Sequence, residues 1–288
     1  MNLACIHTHT TFCDGKDDIE TCCCIAAKKG LSSIGFSAHA PITKKTGIES
    51  TWNLSDEKLP IYIEAVKAAK KRWEGRLPVY LGLEVDYFPF LMGPMDKEYD
   101  QLGLDYIIAS VHFIIPKNGK PFTVDDSTEN VLSSIKESFG GDPRGMVEAY
   151  LDLEEAMIRA GGFDVLGHPD LIKVNNDGNR LFSEDEAFYQ KKTAALASLL
   201  AGAGIPSELN TGGLNRGRTR TCYPSPFFLK QLCAQKVPIV INADAHKAEH
   251  LDGHYREARE AMIEAGYSES VVFSGRENGR PVWSKVRL

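Results

Sequence analysis

The feature that most constrains the fold is a regular alternation between short apolar runs and amphipathic helical patterns. The apolar runs have the length and composition of strands buried in a parallel sheet, and helical spacing of apolar residues follows most of them. Seven strand–helix units in series indicate an α/β protein with a closed or nearly closed barrel. The predicted strands cover residues 2–9, 33–37, 79–83, 106–111, 163–167, 205–209 and 238–242.

Two segments depart from this alternation. Residues 113–142 are irregular and indicate an insertion, with a turn at residues 117–120. Near the end of the sequence, Glu277-Asn278-Gly279 predicts a hairpin. The sequence contains no linker-like or low-complexity tract, and α/β barrels of this length are commonly one unit. We therefore expect a single domain over residues 1–288.

Potential metal ligands lie at the ends of the predicted strands. The first strand ends in His7-Thr8-His9, and both imidazoles point the same way because strand side chains alternate between faces. In a parallel barrel the carboxyl ends of all strands open onto one face, so side chains placed there converge. The candidate metal ligands are His7, His9, Asp14, His39, Glu84, His112, His168, Asp244 and His246.

A single histidine at a strand end is usually a structural residue, but six of the eight histidines share this placement. Nine ligands exceed what one or two zinc-like ions need at four or five positions each. Three divalent metal ions are therefore expected, with a carboxylate such as Glu84 bridging two of them. Imidazole and carboxylate accept zinc, iron or manganese, so the metal identity stays open. Clustered divalent cations activate water and hold phosphoryl oxygens, which favours hydrolysis of a phosphate ester.

Composition narrows the choice of partners and compartment. A formal net charge of −6 argues against a nucleic-acid partner, which would favour a basic surface. The start of the sequence lacks the pattern of a signal peptide, and no apolar run is long enough for a membrane span. The seven cysteines are odd in number, and three of them are consecutive at Cys22-Cys23-Cys24. We expect a cytoplasmic protein with reduced thiols and no membrane partner.

The same residues resemble the motifs of the polymerase-and-histidinol-phosphatase (PHP) superfamily. These motifs are His7-Thr-His9, His39, Glu84, His112, Leu-Gly-His168-Pro-Asp and Asp244-Ala-His246, so the resemblance covers residues 7 to 246. Within the superfamily the chain is most similar to the histidinol-phosphatases of the PHP type. The segments that carry this similarity are Ser110-Val-His-Phe, Phe163-Asp-Val-Leu-Gly-His-Pro-Asp-Leu, Glu208-Leu-Asn-Thr-Gly-Gly-Leu and Tyr223-Pro-Ser-Pro.

The resemblance implies a distorted, TIM-like (β/α)7 barrel with a trinuclear metal site at the carboxyl ends of the strands. It assigns His7, His9, Glu84 and Asp244 to a first metal, and Glu84, His112 and His168 to a second. Asp14, His39 and His246 would bind the third metal. The catalytic residues that we predict on this basis are Glu84, Asp244 and His246.

Three basic residues are candidates for binding the substrate phosphate. Arg216 and Arg218 belong to a loop that follows the sixth strand, and arginine binds phosphate in a bidentate manner. Lys173 follows His168 by five residues and is a third candidate. Each of these side chains could instead be part of a solvated loop. Relatives often carry Lys or Arg after the Asn-Thr-x-Gly turn, and the different sequence here leaves the phosphate-binding arginine open.

Four further residues have competing interpretations. His250 and His254 follow His246 at helical spacing, but Gly253 interrupts the segment and favours surface or supporting roles. Asp86 and Asp170 lie two residues beyond Glu84 and His168, where each could orient a metal-bound imidazole or simply be solvated.

The function implied by the resemblance is hydrolysis of L-histidinol phosphate, a small phosphorylated metabolite, to L-histidinol and phosphate in histidine biosynthesis. One alternative is another PHP phosphoesterase that acts on a nucleotide or oligonucleotide phosphate. A second alternative is a metal-binding scaffold without catalytic activity. The oligomeric state and the residues that contact the amine and imidazole of the substrate are not readable from the sequence.

Overall fold

The computed structural model describes residues 3–288, so Asn2, where the first predicted strand begins, lies outside the described residues. The strands are β1 (Ala4–Cys5), β2 (Ser33–His39), β3 (Val79–Asp86), β4 (Tyr106–Ser110), β5 (Phe113–Ile114), β6 (Phe122–Thr123), β7 (Val165–Leu166), β8 (Ser207–Asn210), β9 (Ile239–Asn242), β10 (Glu269–Glu277) and β11 (Arg280–Arg287). The helices are α1 (Ile19–Lys28), α2 (Lys58–Arg72), α3 (Thr128–Phe139), α4 (Pro143–Ala160), α5 (Ala187–Ala203), α6 (Gly212–Asn215), α7 (Pro226–Ala234) and α8 (Tyr255–Ala265).

The predicted barrel is confirmed. Seven parallel strands form one sheet in the order β1-β2-β3-β4-β7-β8-β9. The sheet closes through a parallel bridge between Thr8 and Ala245, in which the amide of His9 donates to the Ala245 carbonyl at 2.9 Å. The result is a nearly closed, distorted (β/α)7 barrel.

The first strand is shorter than the sequence predicts. Ala4 and Cys5 pair with β2, and the Thr8 carbonyl still accepts from the Ser37 amide. His7 and His9 instead exchange backbone hydrogen bonds with Ala245, beyond the end of β9. The predicted run is thus divided between two neighbours, because it lies at the seam where the barrel closes. This division places His7 and His9 beside the loop that carries Asp244 and His246.

Tyr106 fills the interior of the barrel, and two glycines make room for its ring. A Cβ atom at Gly82 would lie 2.8 Å from Tyr106 Cε1, and closer still to Cζ and Cε2. A Cβ atom at Gly35 would lie 2.5 Å from the Tyr106 hydroxyl, which donates to the Ile6 carbonyl. Residues larger than glycine at either position would displace the ring.

The hairpin β10–β11, which the sequence predicts, covers the end of the barrel where the strands begin. Phe273 packs against Tyr106 and Tyr80 with ring centroids 5.4 and 4.8 Å apart. Arg276 donates to the carboxylate of Asp164 at 2.9 Å, just before β7. The hairpin therefore closes the end of the barrel opposite to the carboxyl ends of the strands.

The predicted insertion contains its own secondary structure. β5 and β6 form a short antiparallel pair around the turn that the sequence predicts, and α3 follows, with the Ser127 hydroxyl accepting from the Asn130 amide. Trp52, from the loop after β2, stacks on Phe113 of β5 with centroids 5.3 Å apart. The insertion thus packs against a neighbouring loop at the carboxyl-end face of the barrel.

The structure bears on two further features, membrane-spanning helices and the run of three cysteines. Among residues 3–288, no helix has both the length and the apolar composition that crossing a membrane would require. Cys22 and Cys23 are buried on α1 and Cys24 is exposed, and all three are free thiols. Cys22 and Cys23 therefore belong to the core face of α1, and Cys24 does not.

Candidate metal centre

The structure brings all nine predicted ligands together at the carboxyl ends of the barrel strands. Their ligand atoms form overlapping groups within 4.8 Å of one another. These groups are His9 with Asp14, His39 and His246; His7 with Glu84 and His168; His7 with His9 and Asp244; and His39 with Glu84 and His112. The overlap makes a single extended cluster rather than separate sites.

Glu84 lies at the centre of this cluster, and its two oxygens face different histidines. Its Oε1 atom lies 2.9 Å from His168 Nε2 and 3.5 Å from His112 Nε2. Its Oε2 atom lies 3.0 Å from Nδ1 of His39, and the Nε2 atoms of His7 and His9 are 3.1 and 3.4 Å away. This placement allows one carboxylate to bridge two cations.

Asp244 completes the group that contains His7 and His9. Its Oδ1 atom lies 3.3 Å from His9 Nε2 and 3.8 Å from His7 Nε2. Asp244 has a φ of 47°, in the left-handed region that is unfavourable for residues with a Cβ. Backbone strain of this kind persists where the surrounding structure imposes it, and it is concentrated at functional sites.

Asp14 and His246 form the outer side of the cluster, together with His39. His246 Nε2 lies 2.9 Å from Asp14 Oδ2, and His39 Nε2 lies 3.8 Å from Asp14 Oδ1. The His9 ring stacks between those of His39 and His246, with a centroid separation of 4.3 Å on each side. His9 therefore connects this group to the one that contains Asp244.

The residues fit bound divalent cations. Within residues 3–288, several inward-facing atoms of the cluster are buried and have no hydrogen-bond partner: His7 Nε2, His9 Nε2, His39 Nδ1, Glu84 Oε2 and Asp14 Oδ1. Buried polar atoms normally have a partner, and unpaired ones require an explanation. Imidazole nitrogens and carboxylate oxygens are also the donor types that zinc, iron and manganese accept.

The electrostatics of the cluster favour ionised carboxylates but differ among its histidines. Burial opposes the charge of His7, His39 and His112, but the neighbouring carboxylates raise the pKa of each. Burial, together with the neighbouring His246 and His39, lowers the pKa of His9 to about 3, so its imidazole stays neutral. Burial opposes ionisation of Glu84, but the surrounding histidines, His7 first, hold its pKa well below the ordinary range. A neutral imidazole and an ionised carboxylate are the metal-binding forms of these side chains.

Two carboxylates contact candidate ligand histidines at Nδ1, the ring nitrogen that does not face the cluster. Glu208 Oε1 lies 2.7 Å from His7 Nδ1, and Asp86 Oδ1 lies 3.0 Å from His112 Nδ1. A carboxylate on the second ring nitrogen fixes both the tautomer and the orientation of a metal-binding histidine. For Asp86, this is one of the two roles that the sequence suggests.

Sequence reasoning did not assign a role to Glu208 or Ser110. Glu208 Oε2 also accepts from the His168 amide at 2.9 Å, and the Ser110 hydroxyl donates to Glu84 Oε1 at 2.7 Å. A carboxylate inside an otherwise apolar strand was the available signal for Glu208, because a buried charge needs a partner. Ser110 carried no comparable signal.

The structure supports neither role that the sequence suggests for Asp170. Its Oδ2 atom accepts from the Tyr189 hydroxyl at 2.8 Å and from the Ser225 amide at 2.6 Å. Asp170 is fully buried, so it is not solvated either. It instead joins the loop after β7 to helix α5 and to the start of α7.

The three basic candidates lie in different surroundings. Arg216 and Arg218 line a pocket of about 370 Å³ together with the outer ligands, Trp52, Thr123, Asp125 and Asp126. Arg216 Nη2 donates to Asp244 Oδ2 at 3.0 Å. Lys173 lies outside the lining of this pocket, and its ammonium donates to the Thr221 hydroxyl at 2.9 Å beside a separate cavity. The structure therefore brings the two arginines to the metal centre but does not bring Lys173.

His250 and His254 lie outside the ligand groups found among residues 3–288. His254 Nδ1 is 3.3 Å from Glu257 Oε1, and His250 Nε2 is 3.6 Å from Glu249 Oε1. Both contacts are partly exposed, which agrees with the surface interpretation of these residues.

The sequence model of the PHP domain family matches residues 6–212. The chain belongs to the PHP domain family. A protein of Deinococcus radiodurans named "Probable histidinol-phosphatase" is 29% identical over 254 residues, which cover 88% of each chain. The histidinol-phosphatase of Bacillus subtilis is 26% identical over 270 residues, covering 90% of this PHP chain and 97% of the relative.

Two solved structures share the fold. The crystal structure of a Listeria monocytogenes protein described as a histidinol phosphatase has a TM-score of 0.81 and 23% identity, over 88% of this chain and 99% of that one. The histidinol phosphate phosphatase of Lactococcus lactis, in complex with zinc, L-histidinol and phosphate, has a TM-score of 0.70 and 21% identity. It covers 98% of this chain and 99% of that one. Both comparisons confirm that the PHP-type barrel extends over most of the chain.

Proposed function

We propose that this protein is a metal-dependent phosphomonoesterase that hydrolyses L-histidinol phosphate to L-histidinol and phosphate. The observation that carries this proposal is the placement of Glu84, whose two oxygens face separate sets of imidazoles. Of these imidazoles, those of His39, His112 and His168 line a pocket. Such a cluster is suited to phosphate ester hydrolysis. Relatives that share most of the chain bear the name histidinol-phosphatase, and this supports the choice of substrate.

We assign three divalent cations of zinc, iron or manganese type to the nine ligands. His7, His9, Glu84 and Asp244 would hold the first cation, Glu84, His112 and His168 the second, and Asp14, His39 and His246 the third. When bound, such cations activate water and neutralise charge on the phosphoryl group. Glu84, Asp244 and His246 are the residues to which we assign catalytic roles, because they position these charges around the reacting phosphorus.

Arg216 is the best-placed phosphate ligand of the protein. Arg216 lines the pocket, and two neighbours hold its guanidinium in place. Its Nη2 donates to Asp244 Oδ2 at 3.0 Å, and its Nη1 lies 3.2 Å from His246 Nδ1. Burial opposes the charge of Arg216, but the Asp244 carboxylate raises its pKa above the ordinary value. A fixed cation at this point would orient the phosphate and stabilise charge that develops on it.

We further propose that the enzyme acts in the cytoplasm. Cysteines 5, 13, 22, 23, 24, 222 and 233 are free thiols in the structure, as expected for a reducing compartment.

Phosphate release tests the proposed activity. The protein, prepared separately with zinc, manganese or iron, is incubated with L-histidinol phosphate, a nucleoside monophosphate and a 5′-phosphorylated oligonucleotide. We expect turnover of histidinol phosphate to exceed that of both nucleotide substrates. Preferential cleavage of either nucleotide substrate would contradict the proposed substrate, and no release from any of them would favour a metal-binding scaffold.

A further inference from the structure

Arg218 lines the substrate pocket, yet its guanidinium is engaged by protein acceptors. Nη1 donates to the Asp125 carbonyl at 3.1 Å. Nη2 donates to the Asp126 carbonyl at 3.0 Å and to Asn175 Oδ1 at 3.2 Å. Arg218 therefore connects the loop after β8 to the insertion and to the segment after β7.

These contacts leave Arg218 without a free pair of N–H donors that could bind a phosphate in a bidentate manner. A guanidinium binds an oxyanion in a bidentate manner either through both Nη groups or through Nε and Nη2. Both arrangements need a hydrogen on Nη2, and both Nη2 hydrogens of Arg218 are directed at protein oxygens. Arg216 differs, because its Nη2 has one protein acceptor, Asp244 Oδ2.

Asn175 engages the same segment from the other side. Its amide nitrogen lies 3.3 Å from the Val124 carbonyl and 3.1 Å from that of Asp126, and it donates to both. Its Oδ1 atom accepts from the Thr128 hydroxyl at 2.9 Å, in addition to Arg218. Asn175 is 2% exposed, so the Asn175 end of each of these hydrogen bonds is buried. Two side chains thus fix the backbone of residues 124–126, and Asn175 also contacts the Thr128 side chain.

The fixed segment is the acidic wall of the pocket. Thr123, Asp125 and Asp126 line the same pocket as Arg216. The Asp126 carboxylate accepts from the Ser127 amide and from Asn130, whereas the Asp125 carboxylate accepts from the Thr123 hydroxyl at 2.6 Å. A carboxylate wall repels the phosphate and attracts positive charge, so it suits the other end of the substrate.

We propose that Arg218 and Asn175 are positioning residues that hold residues 123–126 as the wall recognising a positively charged leaving group. They act on substrate selectivity through this wall and do not bind the phosphate. This inference rests on the proposed phosphomonoesterase activity, and it deepens that activity by naming the residues that favour a substrate with a positively charged alcohol portion.

The test uses the variant Arg218→Met, which approximately keeps the length of the side chain and removes its hydrogen-bond donors. Its kinetics are measured with two substrates, and the order of its backbone is measured separately. The substrates are L-histidinol phosphate, whose alcohol portion carries a positive charge, and p-nitrophenyl phosphate, whose aryl portion carries none. The readout is hydrogen–deuterium exchange of residues 120–130. Arg220→Met is the matched control, because Arg220 lies on the same loop with an 85% exposed side chain paired to Asp177.

We expect Arg218→Met to lower kcat/KM for histidinol phosphate at least about tenfold more than for p-nitrophenyl phosphate, since small misplacements of a binding group have effects of this size. Exchange at residues 124–128 should become faster, and the metal content should match that of the wild type. Asn175→Asp, which retains the acceptor but loses both donated hydrogen bonds, should show the same pattern. Arg220→Met should show none of these changes.

Equal losses on both substrates without faster exchange would show that Arg218 binds phosphate, and would overturn the proposal. Unchanged kinetics and exchange in both Arg218→Met and Asn175→Asp would overturn it as well. If the wild type cleaves p-nitrophenyl phosphate but not histidinol phosphate, the proposed substrate fails. In that case the exchange of residues 124–128 in the two variants still decides whether they position the wall.

Discussion

Replacing Gly82 by alanine tests whether packing inside the barrel determines the position of Glu84 in the metal centre. Gly82 and Glu84 are two residues apart on β3 and therefore face the same side of the sheet. The added methyl group would meet the Tyr106 ring at distances of 2.8 Å or less. Because Tyr106 is also confined by Gly35 and by its hydrogen bond to the Ile6 carbonyl, the ring has little room to move.

The expected loss of stability follows from this overlap. Inserting a methyl group into a packed core usually costs about 1–3 kcal/mol, and a confined ring places this substitution near the upper end. We therefore expect Gly82→Ala to lower the free energy of unfolding by about 3 kcal/mol, which is roughly a 100-fold change in the folding equilibrium. Displacement of β3 should also reduce the metal content, because Glu84 lies on the same strand.

Urea denaturation, combined with a double-mutant cycle, is the assay. In a Tyr106→Leu background the ring is absent, so Gly82→Ala should cost less than about 1 kcal/mol there. Gly202→Ala is the matched control, because Gly202 belongs to α5. Apart from the adjacent residues and the helix backbone, no atom of residues 3–288 lies within 4 Å of its added Cβ. This control should be neutral or stabilising by up to about 1 kcal/mol. An equal cost of Gly82→Ala in both backgrounds would refute the reasoning from Tyr106.

Further predictions concern the metal centre and one buried acid. Glu84→Gln should reduce bound metal by at least one ion per chain and lower kcat on the order of 1,000-fold. His250→Ala, the control, should change neither quantity. Metal analysis measures the bound metal, and phosphate release measures kcat. Stripping metal with a chelator should lower the Tm by about 10 °C in calorimetry, given about 4 kcal/mol of ligand-linked stability, and an unchanged Tm would contradict metal binding. Burial raises the pKa of Glu154 well above its ordinary range, so the folded state holds a proton that the unfolded chain releases. Stability should therefore fall as the pH rises above about 5, and Glu154→Gln should flatten this dependence and be the more stable protein near pH 8 in urea titrations.

The barrel and the convergence of the candidate ligands could be predicted because their signals are local. A parallel strand is visible as an apolar run, and a ligand directly after it must face the same end of the barrel as the others. The structure confirms the barrel and brings all nine predicted side chains together. What the sequence could not show is how the Glu84 oxygens divide the histidines, because this depends on side-chain rotamers.

The surroundings of the basic residues could not be predicted for a different reason. Arg216 and Arg218 are two residues apart on an irregular loop, where no periodicity indicates which way a side chain points. Arg218 meets the Asp125 carbonyl, which is 93 residues away along the chain, and Lys173 meets Thr221 at a separation of 48 residues. Contacts of this range depend on how the loops pack, and a single sequence carries no local signal for them.

The hairpin β10–β11 has a consequence for how the protein folds. Its Phe273 and Val271 share one apolar cluster with Ile6, which follows β1, and with Tyr106, the first residue of β4. Completing this cluster brings together segments from almost opposite ends of the sequence, and such long-range contacts slow folding because the entropy of loop closure must be overcome first. Substitutions in the hairpin should therefore alter folding and unfolding rates, while substrate selectivity, which is determined at the other end of the barrel, stays the same.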